Sequence, residues 1–424
     1  MFPTAKPSPI QRDHYWTQAK HPEVERQMDQ LVQHLQARLQ TFFQPQDYCC
    51  IAITGGYGRG EGGIRIKAGK EALNNNLDLI WVVPEKRDIQ TLQKRFKQQV
   101  SVVLSQHHDI DIDCYFIHEK HLKRLPCLVM LYDIVSGHRV IAGPQTYLKQ
   151  LLNFEAKDIL PSDMRNLMVN RATLLLLNRW LIMQFKRQYP QQTELPEPLL
   201  QRILKHTMKA IIGYGDALLF AQNDYHWSYV KKDQIMGGHL HFPVPLRNLY
   251  TQAIQYRFHP QNTRWQALGL ENLRVETLDQ WQQELLQYFA TWHLDYENWR
   301  MQKTRDNWDF YIEDNLRHAI SAENAYRGVI LRKLKHFVRN QALTRQVSYR
   351  ARLGLKVSEP ASALSVIFPF VAYTEQTPAF VYEQLLISEA CHTEQLIHRY
   401  LQCWGSYLDP ALLSKMKQWQ EKVV

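Results

Sequence analysis

Every strand-like run in this chain of 424 residues falls before residue 150, and helical periodicity takes over after it. That segregation argues against a repeating βα architecture and for α+β: a small mixed β-sheet followed by a long all-α region. The length exceeds what one compact core organises. The expected division is a sheet domain over residues 1–150, a helical domain over 151–300, and a second helical, partly basic domain over 301–424.

In the first part, Val24, Met28, Leu31, Leu35, Leu39 and Phe42 recur at spacings of three and four, which predicts one apolar helical stripe. "CCIAIT" is a short apolar run stopped by Gly55 and Gly56, as a buried strand would be. "LDLIWVV" (Leu77 to Val83) predicts a second strand closed by Pro84, and Asp88 then caps a helix through "DIQTLQKRFKQQVSVVL". "HDIDIDCYFI" (His108 to Ile117) alternates with period two, which predicts a third strand with one polar face. "HRVIAG" predicts a short fourth. Further on, helices are expected near 161–187, 199–222, 246–258, 276–299, 314–341, 376–400 and 410–422, with loops at 189–198 and 236–245. No fixed-period repeat occurs.

Composition removes several function classes. The hydrophobic fraction is 45%, ordinary for a globular chain. The six cysteines form no CxxC pair and several sit in apolar runs, so they read as reduced core residues of a cytoplasmic protein. The start, "MFPTAKPSPIQRDHYW", lacks the apolar core of a signal peptide. The most apolar helix, Leu167 to Met183, is interrupted by Arg171 and Arg179 and is too short to span a bilayer, so no membrane is expected. The net charge of +10 favours a polyanionic partner, and the stretch from Arg332 to Lys356 holds no acidic residue. A solvated helix face would explain that stretch as well. "HEKH" (His118 to His121) is not the HExxH zinc motif, and "HLH" (His239 to His241) has no Cys or acid at ligand spacing.

The segment that carries chemistry is "IAITGGYGRGEGG", Ile51 to Gly63. Glycine lets backbone N–H groups approach a ligand and adopt positive φ, and phosphate binds such amides well. The loop matches neither the dinucleotide fingerprint nor a Walker A loop. Its companions make it specific. "NNLDL" sets Asn76 and Asp78 on one face of a strand, and "DIDID" sets Asp109, Asp111 and Asp113 on one face of another. If those strands are neighbours, the carboxylates converge. Such a cluster is costly without a cation, for which Mg²⁺ is the oxygen-loving candidate.

"GGYGRGEGG", "NNLDLIWVV" and "DIDCYFI" together resemble the three motifs of the polymerase β-type nucleotidyltransferase superfamily, closest in "GRGE" to the bacterial minimal and antibiotic-type members. The likeness covers about residues 45–145 and implies that the sheet domain is a nucleotidyltransferase domain. It implies that Gly55 and Gly56, with Tyr57, Arg59 and Glu61 in the same loop, bind the nucleotide. It also implies that Asp78 binds Mg²⁺, and that Asp113 or Asp111 is the third acid, which activates the attacking hydroxyl. Asp113 is preferred because "CYFI" continues directly from it. Two departures stand out: Asn76 replaces the first metal-binding acid, and "IRIKAGKEALN" lengthens the segment before it. The implied reaction transfers a nucleoside monophosphate, with ATP the expected NTP donor. The acceptor is a small hydroxylated molecule, a protein side chain or an RNA 3′ end. A catalytically inactive nucleotide- or RNA-binding protein on the same fold is the alternative, and an antitoxin-like transferase acting on another protein is the third. Lys205, Lys209 and Asp216 lie on helices similar to those that help bind the acceptor in such transferases. For Asp216 the favoured reading is a core acid paired with a neighbouring basic residue such as Arg171.

Overall fold

The computed structural model describes residues 15–74, 76–262, 272–309, 360–374, 392–408 and 410–421, with single positions between them at 268, 270, 311, 314, 315, 377, 381 and 385. The acid-free stretch 332–356 therefore lies outside the described residues. Contacts divide the chain into two compact units. Unit 1 comprises Met1–Leu160 with two returning segments, His226–Leu240 and Ile254–Thr263; unit 2 comprises Pro161–Tyr225, His241–Ala253 and Arg264–Val424.

Unit 1 is built on a four-stranded mixed sheet. Helix α1 (Pro22–Phe42) leads to β1 (Cys50–Ile53), and a single tight helical turn, α2 (Gly55–Gly58), follows it. A hairpin of β2 (Ile64–Lys67) and β3 (Lys70–Leu73) comes next, then β4 (Leu77–Val83). The crossover to β5 (Ile112–His118) runs through α3 (Ile89–Phe96), a π-helical turn over Lys97–Ser101, and α4 (Val102–His108). Short helices α5 (Glu119–Leu122) and α6 (Val129–Ser136) precede β6 (Arg139–Ala142) and α7 (Tyr147–Leu151). The sheet order is β5-β4-β1-β6, with β1 antiparallel to both neighbours and β4 parallel to β5.

Period two sorts the sheet's residues to its faces. Leu77, Leu79, Trp81 and Val83 of β4 join Ile51, Ile53 and Phe116 under the stripe of α1 and beside Leu92, Phe96 and Leu104. Ile80 and Val82 point the other way, with Cys50, Ala52 and Ile117, into a second core closed by Leu131, Ile134 and Leu148. Asp78 has the parity of this second face and is the one half-buried position in an otherwise buried strand. Asp88 caps α3 by accepting from the Thr91 N–H at 2.8 Å, as its position before the apolar stripe predicts.

Unit 2 is helical. Its described helices are α8 (Pro161–Gln188), α9 (Glu197–Ala221), α12 (Val275–Met301), α13 (Pro360–Ala372), α14 (Thr393–Leu408) and α15 (Pro410–Glu421). Helix α8 packs along α9 and also meets α12, α13 and α14. Helix α10 (Tyr229–Gly238) lies in the first segment that returns to unit 1, and α11 (Val244–Phe258) begins in unit 2 and ends in the second. Among the described residues, no helix is long and apolar enough to cross a membrane.

Candidate active site at the Gly55 turn

Three strand ends meet at one edge of the unit 1 sheet: the end of β1 and the starts of the parallel strands β4 and β5. Asp78 pairs with Asp113 in the β4–β5 register, so both carboxylates leave the same face of adjacent strands. Neighbouring strands lie about 4.8 Å apart, which sets the separation of the two backbones. Asn76 stands just before β4 with the same parity, and its Nδ2 donates to Asp113 Oδ2 at 3.0 Å. Asp113 is exposed and Asp78 half-buried, so the cluster opens to solvent on one side.

The chain closes over this edge at Gly55. The Thr54 N–H and hydroxyl both donate to the Asp78 carbonyl, at 2.8 and 3.2 Å, which locks the end of β1 onto the start of β4. Gly55 then takes φ +63°, and a Cβ there would collide with the Asp78 carboxylate. Glycine is thus required twice, for its backbone conformation and for its lack of a side chain. The backbone of the turn consequently lies directly against the Asp78 carboxylate.

The "DIDID" stretch does not fold as one strand. Strand β5 begins at Ile112, and Asp109 is instead the left-handed residue that ends α4, at φ 51° and ψ 45°. Asp tolerates that conformation better than most side chains, so a period-two pattern hides a helix stop here. The Asp109 carboxylate is held by Lys67 and, at 3.1 Å, by Arg65, both on β2; the Lys67 ammonium keeps its pKa below the ordinary Asp value. Asp111 precedes the strand and is exposed, while its carbonyl accepts the Leu77 N–H at 2.8 Å. Of the three acids, Asp113 alone lies on the strand beside Asp78. The lengthened segment before "NNLDL" is the β2–β3 hairpin, turned by Ala68 and Gly69 at φ 49° and 76°. Consecutive positive φ values are what a tight two-residue hairpin turn needs.

Tyr57, Arg59 and Glu61 pack within unit 1. Tyr57 is fully buried in the α1-side core. Glu61 is buried at the start of α10, where its carboxylate accepts from the Ser228 hydroxyl, the Tyr229 N–H at 2.9 Å and the Val230 N–H at 3.3 Å. A carboxylate at a helix N-terminus satisfies otherwise orphaned donors and meets the positive end of the helix dipole. Arg59 lies 3.5 Å from Glu61, with its guanidinium over the Tyr229 ring at 4.9 Å. Lys232 and Arg257 face the same ring at 4.1 and 4.3 Å. This joint spans 167 positions of sequence at its Glu61–Ser228 contact, which explains why residue patterns alone did not reveal it. Ser228 at the N-cap was the available local signal. Glu61→Ala is expected to cost unit 1 about 1–3 kcal/mol by stranding these donors. Denaturant unfolding followed by circular dichroism measures this, with a smaller loss for Glu61→Gln.

The remaining candidates lie in unit 2. Asp216 is buried and accepts from the Tyr250 hydroxyl at 2.6 Å, both groups inside that unit, as a core acid would. Lys205 is exposed on α9 and Lys209 half-buried. The five described cysteines are free, and burial pushes the Cys50 thiol up to about 12, away from nucleophilic use.

Chemically, the edge offers two carboxylates and the Asn76 amide oxygen, an all-oxygen donor set that suits Mg²⁺. Two carboxylates on paired positions repel unless a cation or a donor stands between them, and the Asn76 amide supplies one such donor. The chain matches no protein-family model, no curated protein and no solved structure.

Proposed function

We propose that unit 1 is a nucleotidyltransferase: it transfers a nucleoside monophosphate, AMP from ATP in the first instance, to a hydroxyl acceptor and releases pyrophosphate. The observation that carries this is the pairing of Asp78 with Asp113 across parallel strands beside the Gly55 turn. The likeness of the three sequence motifs to polymerase β-type enzymes supports it. Asp78, Asp113 and the Asn76 carbonyl are the groups that would hold Mg²⁺, which when bound supplies neutralisation of the phosphate charge. The backbone at Gly55 and Gly56 brings main-chain groups close to the phosphates. The acceptor oxygen attacks the α-phosphorus, the bond to the β-phosphate bridging oxygen breaks, and pyrophosphate leaves. The acceptor's proton passes to the Asp113 carboxylate, which acts as general base.

A second reading has its own observation. The Asn76 amide donates to Asp113 and contributes no charge, so the edge carries one negative charge fewer than an all-acid site. A protein that binds a nucleotide or RNA without turning it over would tolerate that. Pyrophosphate release from each of the four NTPs, with Mg²⁺ and with and without cell lysate as acceptor source, separates the two. Mg²⁺-dependent release is the expected result. Nucleotide binding by calorimetry with no release from any NTP would replace the transferase reading with the binding one.

A further inference from the structure

Unit 1 carries a second cluster of metal-ligating side chains, chemically unlike the first. His34 projects from α1, and His107 and His108 end α4. One ring nitrogen from each lies within 4.8 Å of the other two. His34 Nδ1 and His108 Nε2 are 2.9 Å apart, and the ring centroids of His34 stand 5.4 and 5.1 Å from those of His107 and His108. The two helices bring residues 74 positions apart to one spot on the surface. The nearest acid in sequence, Asp109, is engaged by Arg65 and Lys67 on the hairpin.

Three touching imidazoles are an unfavourable way to build a plain surface. Each protonation would set like charges side by side, with no carboxylate among the three to offset them. Imidazoles converging from two helices are instead a nitrogen donor set. Imidazole suits Zn²⁺ and its borderline neighbours, whereas Mg²⁺ prefers oxygen and sheds water reluctantly. Three protein nitrogens with one open position is also the donor count of a familiar type of zinc centre.

We propose that His34, His107 and His108 form a transition-metal site that takes one Zn²⁺-class ion and keeps a coordination position for water or an external ligand. The site is separate in chemistry from the Asp78–Asp113 edge. Its position is nevertheless informative: His108 is followed directly by Asp109, the left-handed residue from which the chain turns toward Asp113. An ion held there clamps the end of α4 to α1 and fixes where the acid-bearing strand starts.

The test uses the full chain without a histidine tag, stripped of metal by chelator dialysis. Titration with Co²⁺ followed by visible absorption reads ligand-field bands, and Zn²⁺ competition reads affinity. The expected result is one ion per chain, displaced by Zn²⁺, with thermal stability raised by saturating metal. His34→Ala and His107→Ala each weaken binding at least about tenfold, since even groups behind the ligands contribute that much. Asp78→Asn leaves Co²⁺ binding unchanged, and an excess of Mg²⁺ does not displace the ion. His34→Gln, closer in size, guards against loss through misfolding, with circular dichroism confirming the fold. Absence of Co²⁺ bands, or binding that survives His34→Gln and His107→Ala in folded protein, overturns the site.

Discussion

Asp78→Asn is expected to lower Mg²⁺-dependent pyrophosphate release by about a thousandfold while leaving the protein folded. The substitution keeps the side chain's size and leaves in place the contacts of the Asp78 carbonyl that fix β1 to β4. What it removes is one of the two carboxylates paired across β4 and β5. A metal ion contributes several kcal/mol of charge stabilisation to the transition state. At 1.36 kcal/mol per tenfold, losing a half-buried carboxylate from the proposed metal site reaches about 10³ in rate. The effect should fall on kcat with Mg²⁺ saturating, and the unfolding free energy should stay within about 0.5 kcal/mol of wild type. Asp111→Asn provides the internal contrast: that residue lies outside the strand and is exposed, so its loss should change the rate less than tenfold. Equal losses for Asp78→Asn and Asp111→Asn would mean that the strand pairing does not define the site. Activity within tenfold of wild type for Asp78→Asn would remove Asp78 from it altogether.

The sequence made the sheet legible where hydrophobic pattern and local chemistry agree. Strand β4 runs over the expected Leu77–Val83, and α1 buries the expected stripe of Val24, Met28, Leu31, Leu35 and Leu39. The convergence of Asp78 with Asp113 follows from two alternating patterns once their strands are neighbours. What escaped was non-local or disguised. Asp109 reads as one more member of an alternating run, because a helix stop by a left-handed Asp leaves no mark on period two. Helix α13 was not expected, and Pro369 inside it is the kind of residue that argues against a helix; there the apolar packing of Leu364, Ile367 and Phe368 outweighs the lost hydrogen bond. The partners of Glu61 lie on a segment that returns from beyond residue 225, which no local pattern around the glycine loop could show. Motif resemblance assigns residues to a loop; it cannot say which direction each side chain leaves it.

Glu297→Gln is expected to destabilise unit 2 by about 3–5 kcal/mol. Glu297 and Arg300 are both buried on α12, with Arg300 Nε donating to Glu297 Oε1 at 3.0 Å. The Tyr311 hydroxyl donates to Glu297 Oε2 at 3.0 Å, and Arg165 and Arg300 both donate to Asn315 Oδ1, the former at 3.0 Å. One carboxylate thus answers two buried guanidinium groups. Burial by itself would raise the Glu297 pKa, but the Arg300 charge, its hydrogen bond and Arg165 outweigh it and hold the carboxyl below its ordinary value. Glutamine keeps the shape and strands both cations in a medium that solvates them poorly, which costs far more than the pair contributes over an apolar replacement. For a unit of this size the shift in Tm is on the order of 10 °C. The pH dependence carries the sign that identifies the cause. Because the folded-state pKa is depressed, the contribution of the charge is fully present above the unfolded value of about 4.3 and is lost as pH falls from there toward the folded one. The gap between wild type and Glu297→Gln should therefore be constant near neutrality and narrow below about pH 4. A gap of the same size at pH 7 and pH 3 would show that packing, not the Glu297 charge, joins α12 to Arg165 and Asn315.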